Sequence, residues 1–168
     1  PYIGVKTING VKYYFEWEGR LATRTYEGIW VITFNRQLIA YNQNGVVTDQ
    51  QDIVGNKWIK VNNKWYYFDN GGYGQKGWQT IAGNTYYFLD NYQMATGFQE
   101  ISGNTYFFST GVMKIYGKTY YEGYMITGWL PLGNDWYYLN SDGSMVTGLQ
   151  TVGNNFYYFN ASGKMQTG

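Results

Sequence analysis

Glutamines at 79, 99 and 150 each stand two residues after a glycine, and the first and last are followed eight residues later by tyrosines, Tyr87 and Tyr158. Lysines lie nearby in the chain, Lys76 before Gln79 and Lys164 after Tyr158. An aromatic face beside amide, hydroxyl or ammonium groups can lie along the C–H side of a ring while hydrogen-bonding its substituents. That is recognition chemistry, with no bond to break. Gln99 ranks below the other two because Phe107 stands where the tyrosine would be, and Lys12 with Tyr14 forms a comparable pair near the N-terminal end.

Catalytic chemistry has little to work with. The chain has Cys 0 and His 0, which removes thiolate nucleophiles, the usual general base near neutral pH and the commonest metal ligand. The aspartates that remain to form an acid pair, Asp49, Asp52, Asp69, Asp90 and Asp142, mostly recur in Asx-Gly links, where Asp and Asn form turns. They lack the dense, even spacing of a calcium loop. No metal, no cofactor and no catalytic residue is expected. A formal charge of +1, with 14% charged residues spread along the chain, offers no footprint for nucleic acid.

The elements that would position these residues follow from a repeat. Gly77 to Thr96 divides into a strand (Trp78 to Ile81), a Gly/Asn turn, a second strand (Thr85 to Leu89) and a link ending before Gly97. Most of the chain repeats this pattern at a period of about twenty residues. Aromatics at 21% favour the strands, and Gly 23 supplies the turns. The fold expected is all-β, a solenoid of stacked β-hairpins in one array over residues 1–168, with about seven units. Residues 24–56 fit worst and read as a degenerate unit with an insertion around Gln50-Gln51-Asp52. Residues 97–127 read as an elongated unit with an extra hairpin-like piece from Tyr116 to Thr127.

A four-residue loop over Ala82 to Thr85 would set Ile81 opposite Tyr86 and Gln79 opposite Phe88. Ile81, Tyr86 and Phe88 would then form a buried spine, with Trp78, Thr80 and Tyr87 on the second face. Met94, Met145 and Met165 recur at one place in different units and read as plugs between neighbours. The longest apolar run, Ile29 to Phe34, is far short of the roughly 18 residues of a membrane helix. Leu130-Pro131-Leu132-Gly133 resembles the start of a sortase signal but lacks the threonine and lies inside a repeat. A start at Pro1 without a signal peptide and an end at a repeat boundary read as a piece of a longer chain in which further units follow.

The pattern Gly-x-Gln-Thr-Ile/Val, then Gly-Asn, Tyr-Tyr-Phe and Met-x-Thr-Gly, at 77–97 and 148–168, resembles the cell-wall/glucan-binding repeat superfamily. That superfamily includes the C-terminal repeats of glucansucrases, choline-binding modules of surface proteins and the repeats of large clostridial toxins. The resemblance implies ligand sites in clefts between consecutive hairpins. In choline-binding members a trimethylammonium group sits among the Trp after Gly, the first aromatic of the aromatic run and one aromatic of the next unit, held by cation–π attraction. This chain matches the first two positions at Trp58/Trp65 and Trp129/Trp136, with Tyr86 and with Phe156 or Tyr157 available to close them. Thr85, Thr105 or Lys12 takes the second position elsewhere.

Glucan-binding members resemble the chain more closely, through Gln79, Gln99 and Gln150, with Trp78 in the place after Gly77. The resemblance therefore implies a non-catalytic carbohydrate-binding module for an α-glucan such as dextran, a monomeric fragment of an extracellular glucansucrase-like enzyme of a Gram-positive bacterium. A choline-binding wall anchor and toxin-type receptor-binding repeats are the alternatives. Neither a nucleic-acid nor a membrane partner is expected.

Overall fold

The computed structural model describes residues 2–26 and 28–167. Its contacts divide the chain into two compact units, one running to Gln75 and including Asp90–Gln93, the other comprising Lys76–Leu89 and the chain from Met94 onward. Both are all-β apart from a single 3₁₀ turn at Trp17–Gly19 among the described residues. The architecture is a repeat of antiparallel hairpins, as the periodicity predicts.

In the first unit β1 (Gly4–Ile8) pairs with β2 (Val11–Phe15), β3 (Ile29–Phe34), β4 (Gln37–Asn42) and β5 (Val47–Asp52) form one sheet, and β6 (Lys57–Val61) pairs with β7 (Lys64–Phe68). The second unit contains β8 (Gly77–Ile81) with β9 (Asn84–Phe88), β10 (Gly97–Ile101) with β11 (Asn104–Phe108), and the short pair β12 (Met113–Ile115) and β13 (Lys118–Tyr120). It ends with β14 (Gly128–Leu132) on β15 (Asp135–Leu139) and β16 (Gly148–Val152) on β17 (Asn155–Phe159).

The hairpin loops have two residues, where four were expected. Ala82 and Gly83 both have positive φ, 50° and 79°, the signature of a type I′ turn whose twist matches that of the strands it joins. Gln79 therefore lies opposite Tyr86, and Ile81 opposite Asn84. Because the loop shortens by an even number of residues, partners change while faces do not. Tyr86 and Phe88 are buried on the expected spine face, and Trp78 and Tyr87 pair on the other.

Residues 24–56 depart most from expectation. Gln50, Gln51 and Asp52, expected around an insertion, are part of β5, paired with Ile39, Leu38 and Gln37. The third strand makes β4 central, and its side chains alternate between two cores: Leu38 and Ala40 pack with Val61 and Phe68, Ile39 and Tyr41 with Tyr14 and Ala22. In the elongated unit the extra hairpin begins at Met113, before the expected Tyr116, and carries Tyr116-Gly117 at its tip.

Between hairpins the links are held in one way throughout the second unit. Each closing strand residue bridges to a methionine in the link: Phe88 to Met94, Phe108 to Met125, Leu139 to Met145 and Phe159 to Met165. The thioether then lies against a glycine of the following link, Met94 on Gly123, Met125 on Gly143 and Met145 on Gly163. Those glycines have φ between 79° and 86°, so they supply both the left-handed backbone and the space for sulfur. Met125 belongs to the plug series although the insertion removes it from the twenty-residue count.

A Cβ on Gly143 would overlap Met125 Sδ, whereas one on Gly103, also at positive φ (82°), would meet nothing within 4 Å. Gly103→Ala should cost the backbone term alone, roughly 1–3 kcal/mol, and Gly143→Ala more than that. Thermal unfolding of the two variants measures the difference, which is the contribution of the methionine plug.

Candidate functional site

The chain builds equivalent grooves between successive hairpins, and their equivalence is fixed by backbone hydrogen bonds. In the second unit the Met125 amide donates to the Thr85 carbonyl at 2.9 Å, that of Met145 to Thr105 at 2.7 Å and that of Met165 to Trp136 at 2.8 Å. Thr85, Thr105 and Trp136 therefore occupy one structural position in three hairpins. Beside it runs an aromatic seam. Trp78 meets Tyr87 of its own hairpin at 5.1 Å and Tyr106 of the next at 4.8 Å, Phe98 meets Phe107 and Tyr137 at 4.8 and 5.1 Å, and Trp129 meets Tyr138 and Tyr157 at 5.2 and 4.8 Å. Edge-to-face packing of this kind adds about 0.5–1.5 kcal/mol per pair beyond area burial.

Where tryptophan fills the position, the groove is an aromatic cage. Trp129 and Trp136 stand 6.2 Å apart with planes 80° apart, and Tyr157 lies 74° from Trp129. Tyr116, from the tip of the inserted hairpin, stacks on Trp136 at 6.3 Å and 30°. These rings and Met165 line an open cleft of about 250 Å³ with no charged residue in its lining. Of the two residues expected to close this cage, Tyr157 does so. Tyr116 is 76% exposed and carries no repeat signal, so sequence reasoning did not assign it a role.

At Thr85 a cavity of about 180 Å³ is lined by Asn84, Thr85, Lys118, Thr119, Tyr124 and Thr127, together with Gly83, Tyr120 and Met125. Lys118 Nζ lies 4.6 Å from the Tyr120 ring centroid, which orients its ammonium group.

The three glutamines share a local role. Gln79 Nε2 donates to the Lys76 carbonyl at 3.2 Å, Gln99 Nε2 to Thr96 at 3.0 Å and Gln150 Nε2 to Thr147 at 2.7 Å. Each fastens the link to the strand that follows it, which accounts for the recurrence of the amide without a ligand. Lys76 enters through its carbonyl, and Tyr87 through the aromatic seam with Trp78. Tyr158 is exposed on the face of β17.

The lysines are engaged as well. Lys164 Nζ is 2.7 Å from Asp135 Oδ2, and the hydrogen bond and charge of that carboxylate raise the lysine pKa. Lys12 donates to Gln50 Oε1 at 3.3 Å. Tyr14, expected beside Lys12 as a recognition residue, is instead a core residue among Ala22, Ile39 and Tyr41, and burial pushes its phenol up. The alternation of β2 turns its ring to the opposite face from Lys6 and Tyr13.

In the first unit aromatic faces are matched with the chain's own cations. Trp58 and Trp65 stand 6.3 Å apart at 88°, and Lys60 Nζ lies 5.2 Å from the Trp65 ring. The Arg24 guanidinium lies over both Trp30 and Tyr41 while bonding to Glu16 and the Tyr41 hydroxyl. Tyr86 packs edge-on against Tyr124 within the second unit.

Asp69, Asp90 and Asp142 are turn residues, whereas Asp49 and Asp52 lie in β5. Asp69 Oδ1 accepts from the amides of Gly71 and Tyr73, both at 2.9 Å. Asp142 accepts from the Ser144 hydroxyl and amide, which hold its carboxyl below the ordinary range. Among the described residues no cluster of His, Cys, Asp and Glu could hold a metal ion, and no helix is long and apolar enough to cross a membrane.

Two family models match this chain. The choline-binding repeat covers residues 55–95 and 75–111, and the cell wall binding repeat covers residues 127–145 and 147–165. No curated protein matches. Solved structures similar to it include an alternansucrase in complex with isomaltononaose, at 23% identity over 98% of this chain and 15% of that one, TM-score 0.39. A cell wall endolysin of phage Cp-1 complexed with choline is 27% identical over 85% of this chain and 38% of that one, TM-score 0.43. The choline binding domain of a Streptococcus pneumoniae protein is 35% identical over 44% of this chain and 97% of that one, TM-score 0.34. The chain thus spans only a small part of the alternansucrase it resembles. With its hairpin repeat matched by the two models together over more than half its length, the chain belongs to the cell-wall/glucan-binding repeat superfamily.

Proposed function

We propose that the chain is a non-catalytic module that holds an α-glucan of dextran type by several grooves at once, within an extracellular glucansucrase-like protein. One observation supports this reading above the others: of three equivalent groove positions in the second unit, two carry Thr85 and Thr105 in place of Trp136. A groove with threonine there lacks the second indole of a methylammonium cage but offers hydroxyls to a sugar. Around Thr85 the lining adds an amide and an ammonium group, the inventory that pairs with sugar hydroxyls.

A single groove of this kind would bind a sugar at about millimolar, worth roughly 4 kcal/mol. A polymer engaging several grooves gains through effective concentration, with no new contact required. Superfamily membership supports a place at the cell surface, and secretion and the parent enzyme are part of this proposal.

The test is retardation in a native gel containing dextran. The chain is expected to be slowed, and Thr85→Val or Lys118→Met to reduce the slowing severalfold with the melting temperature within a few degrees. No retardation at any dextran concentration would refute the reading.

The cage favours a second reading, a quaternary ammonium such as choline bound at one site. Four rings surround that space, and a desolvated cation over such faces gains about 2 kcal/mol or more. Choline titration should then quench tryptophan fluorescence, and Trp136→Ala should abolish the response. A flat titration of the unaltered chain excludes this reading. Flat results in both assays would leave a spacer or receptor-binding segment of the toxin type.

A further inference from the structure

The link that follows β7 breaks the methionine-on-glycine rule in both partners. Gly74 bridges to Phe68, in the place that Met94, Met125, Met145 and Met165 take in the other links. In the next link the residue two before the methionine, a glycine at 123, 143 and 163, is Tyr92. Tyr92 nevertheless keeps the left-handed backbone of those glycines, φ 68°, a costly conformation for a bulky side chain. The exchange is complementary: a Cβ on Gly74 would come within 2.9 Å of Tyr92 Cδ1. The large residue has moved to the other side of the contact.

This exchange does not refill the space. Within the first unit a cavity of about 200 Å³ is lined by Val31, Leu38, Tyr66, Tyr73, Asn91 and Tyr92, among others. Tyr66 is 1% exposed and its hydroxyl makes no hydrogen bond. The Gln93 side chain exerts a small downward pull on this phenol, against the larger upward push of burial, but lies outside hydrogen-bond geometry. A buried donor left unmade costs more than a made bond contributes, so the hydroxyl is a local cost to the fold.

We propose that this cavity is a binding site for one residue of a neutral saccharide, created by the Gly74/Tyr92 exchange. No charged residue lines it, which disfavours anions, and its walls combine Val31, Ile32 and Leu38 with Tyr66, Phe68, Tyr73 and Tyr92. Its volume lies below the roughly 300–1,000 Å³ of pockets for drug-sized ligands, which restricts it to a single ring. Thr33 and Asn91 in the lining would offer polar groups to ring substituents, and Tyr73, 73% exposed, offers a face for the C–H side. The inference rests on the glucan reading for the class of ligand.

The test compares the unaltered chain with the double variant Gly74→Met/Tyr92→Gly, which installs the arrangement already tolerated at Met94 and Gly123. Isomaltotriose is titrated while the methyl signals of Val31, Ile32 and Leu38 are followed by NMR, and dextran retardation is measured in parallel. The proposal expects saturable methyl shifts that vanish in the double variant, with dextran retardation by the second unit retained. Retardation without methyl shifts, or shifts that survive the double variant, overturns this site and leaves the glucan reading standing. Absence of both overturns the two together.

Discussion

A two-stranded hairpin cannot bury its own face, and everything else in this chain follows from that constraint. Each aromatic strand must find its cover on the next hairpin, so the link between hairpins has to set their spacing. Here the methionine does this in two ways. Its amide fastens the link to an earlier strand, and its thioether lies on a glycine of the following link. A flexible, polarizable side chain against a residue without a Cβ leaves the backbones close. The same contact fixes the depth of the groove, because the methionine amide donates to the residue that forms the groove wall, Thr85, Thr105 or Trp136.

Scaffold and pocket are therefore written in the same few positions. With the methionine hydrogen bond constant, one strand position carries tryptophan beside the aromatic cleft and threonine beside the polar one. The inserted hairpin alters this locally by bringing Tyr116 over Trp136 and Lys118 and Thr119 into the Thr85 groove. A chain with unlike grooves suits a polymer that offers many contacts better than a small ligand that needs one good one.

The repeat was legible because its period is regular and its turn residues are specific: Ala82-Gly83 and Ser102-Gly103 sit where a type I′ turn needs positive φ. The spine of Tyr86 and Phe88 was legible for the same reason, and it survived a wrong loop length because the error was even. Strand β5 was not legible. Gln50, Gln51 and Asp52 have neither alternation nor apolar content, and only their partner β4, buried on both sides, makes them a strand. The glutamines recur with a local bond that counting could not show, an amide tied to a carbonyl three residues back. Tyr116 and Tyr66 could not be found by counting, since one lies in an insertion and the other owes its cavity to a missing methionine.

The central claim is that several grooves of unlike chemistry act together on one polymer. Titration calorimetry with a series of α-1,6-linked glucans, from isomaltotriose to long dextrans at equal glucose concentration, tests it most directly. The account predicts that apparent affinity per chain rises steeply with polymer length while the heat per bound sugar stays nearly constant. The same affinity for the trisaccharide and the polymer, or no heat with either, would contradict it.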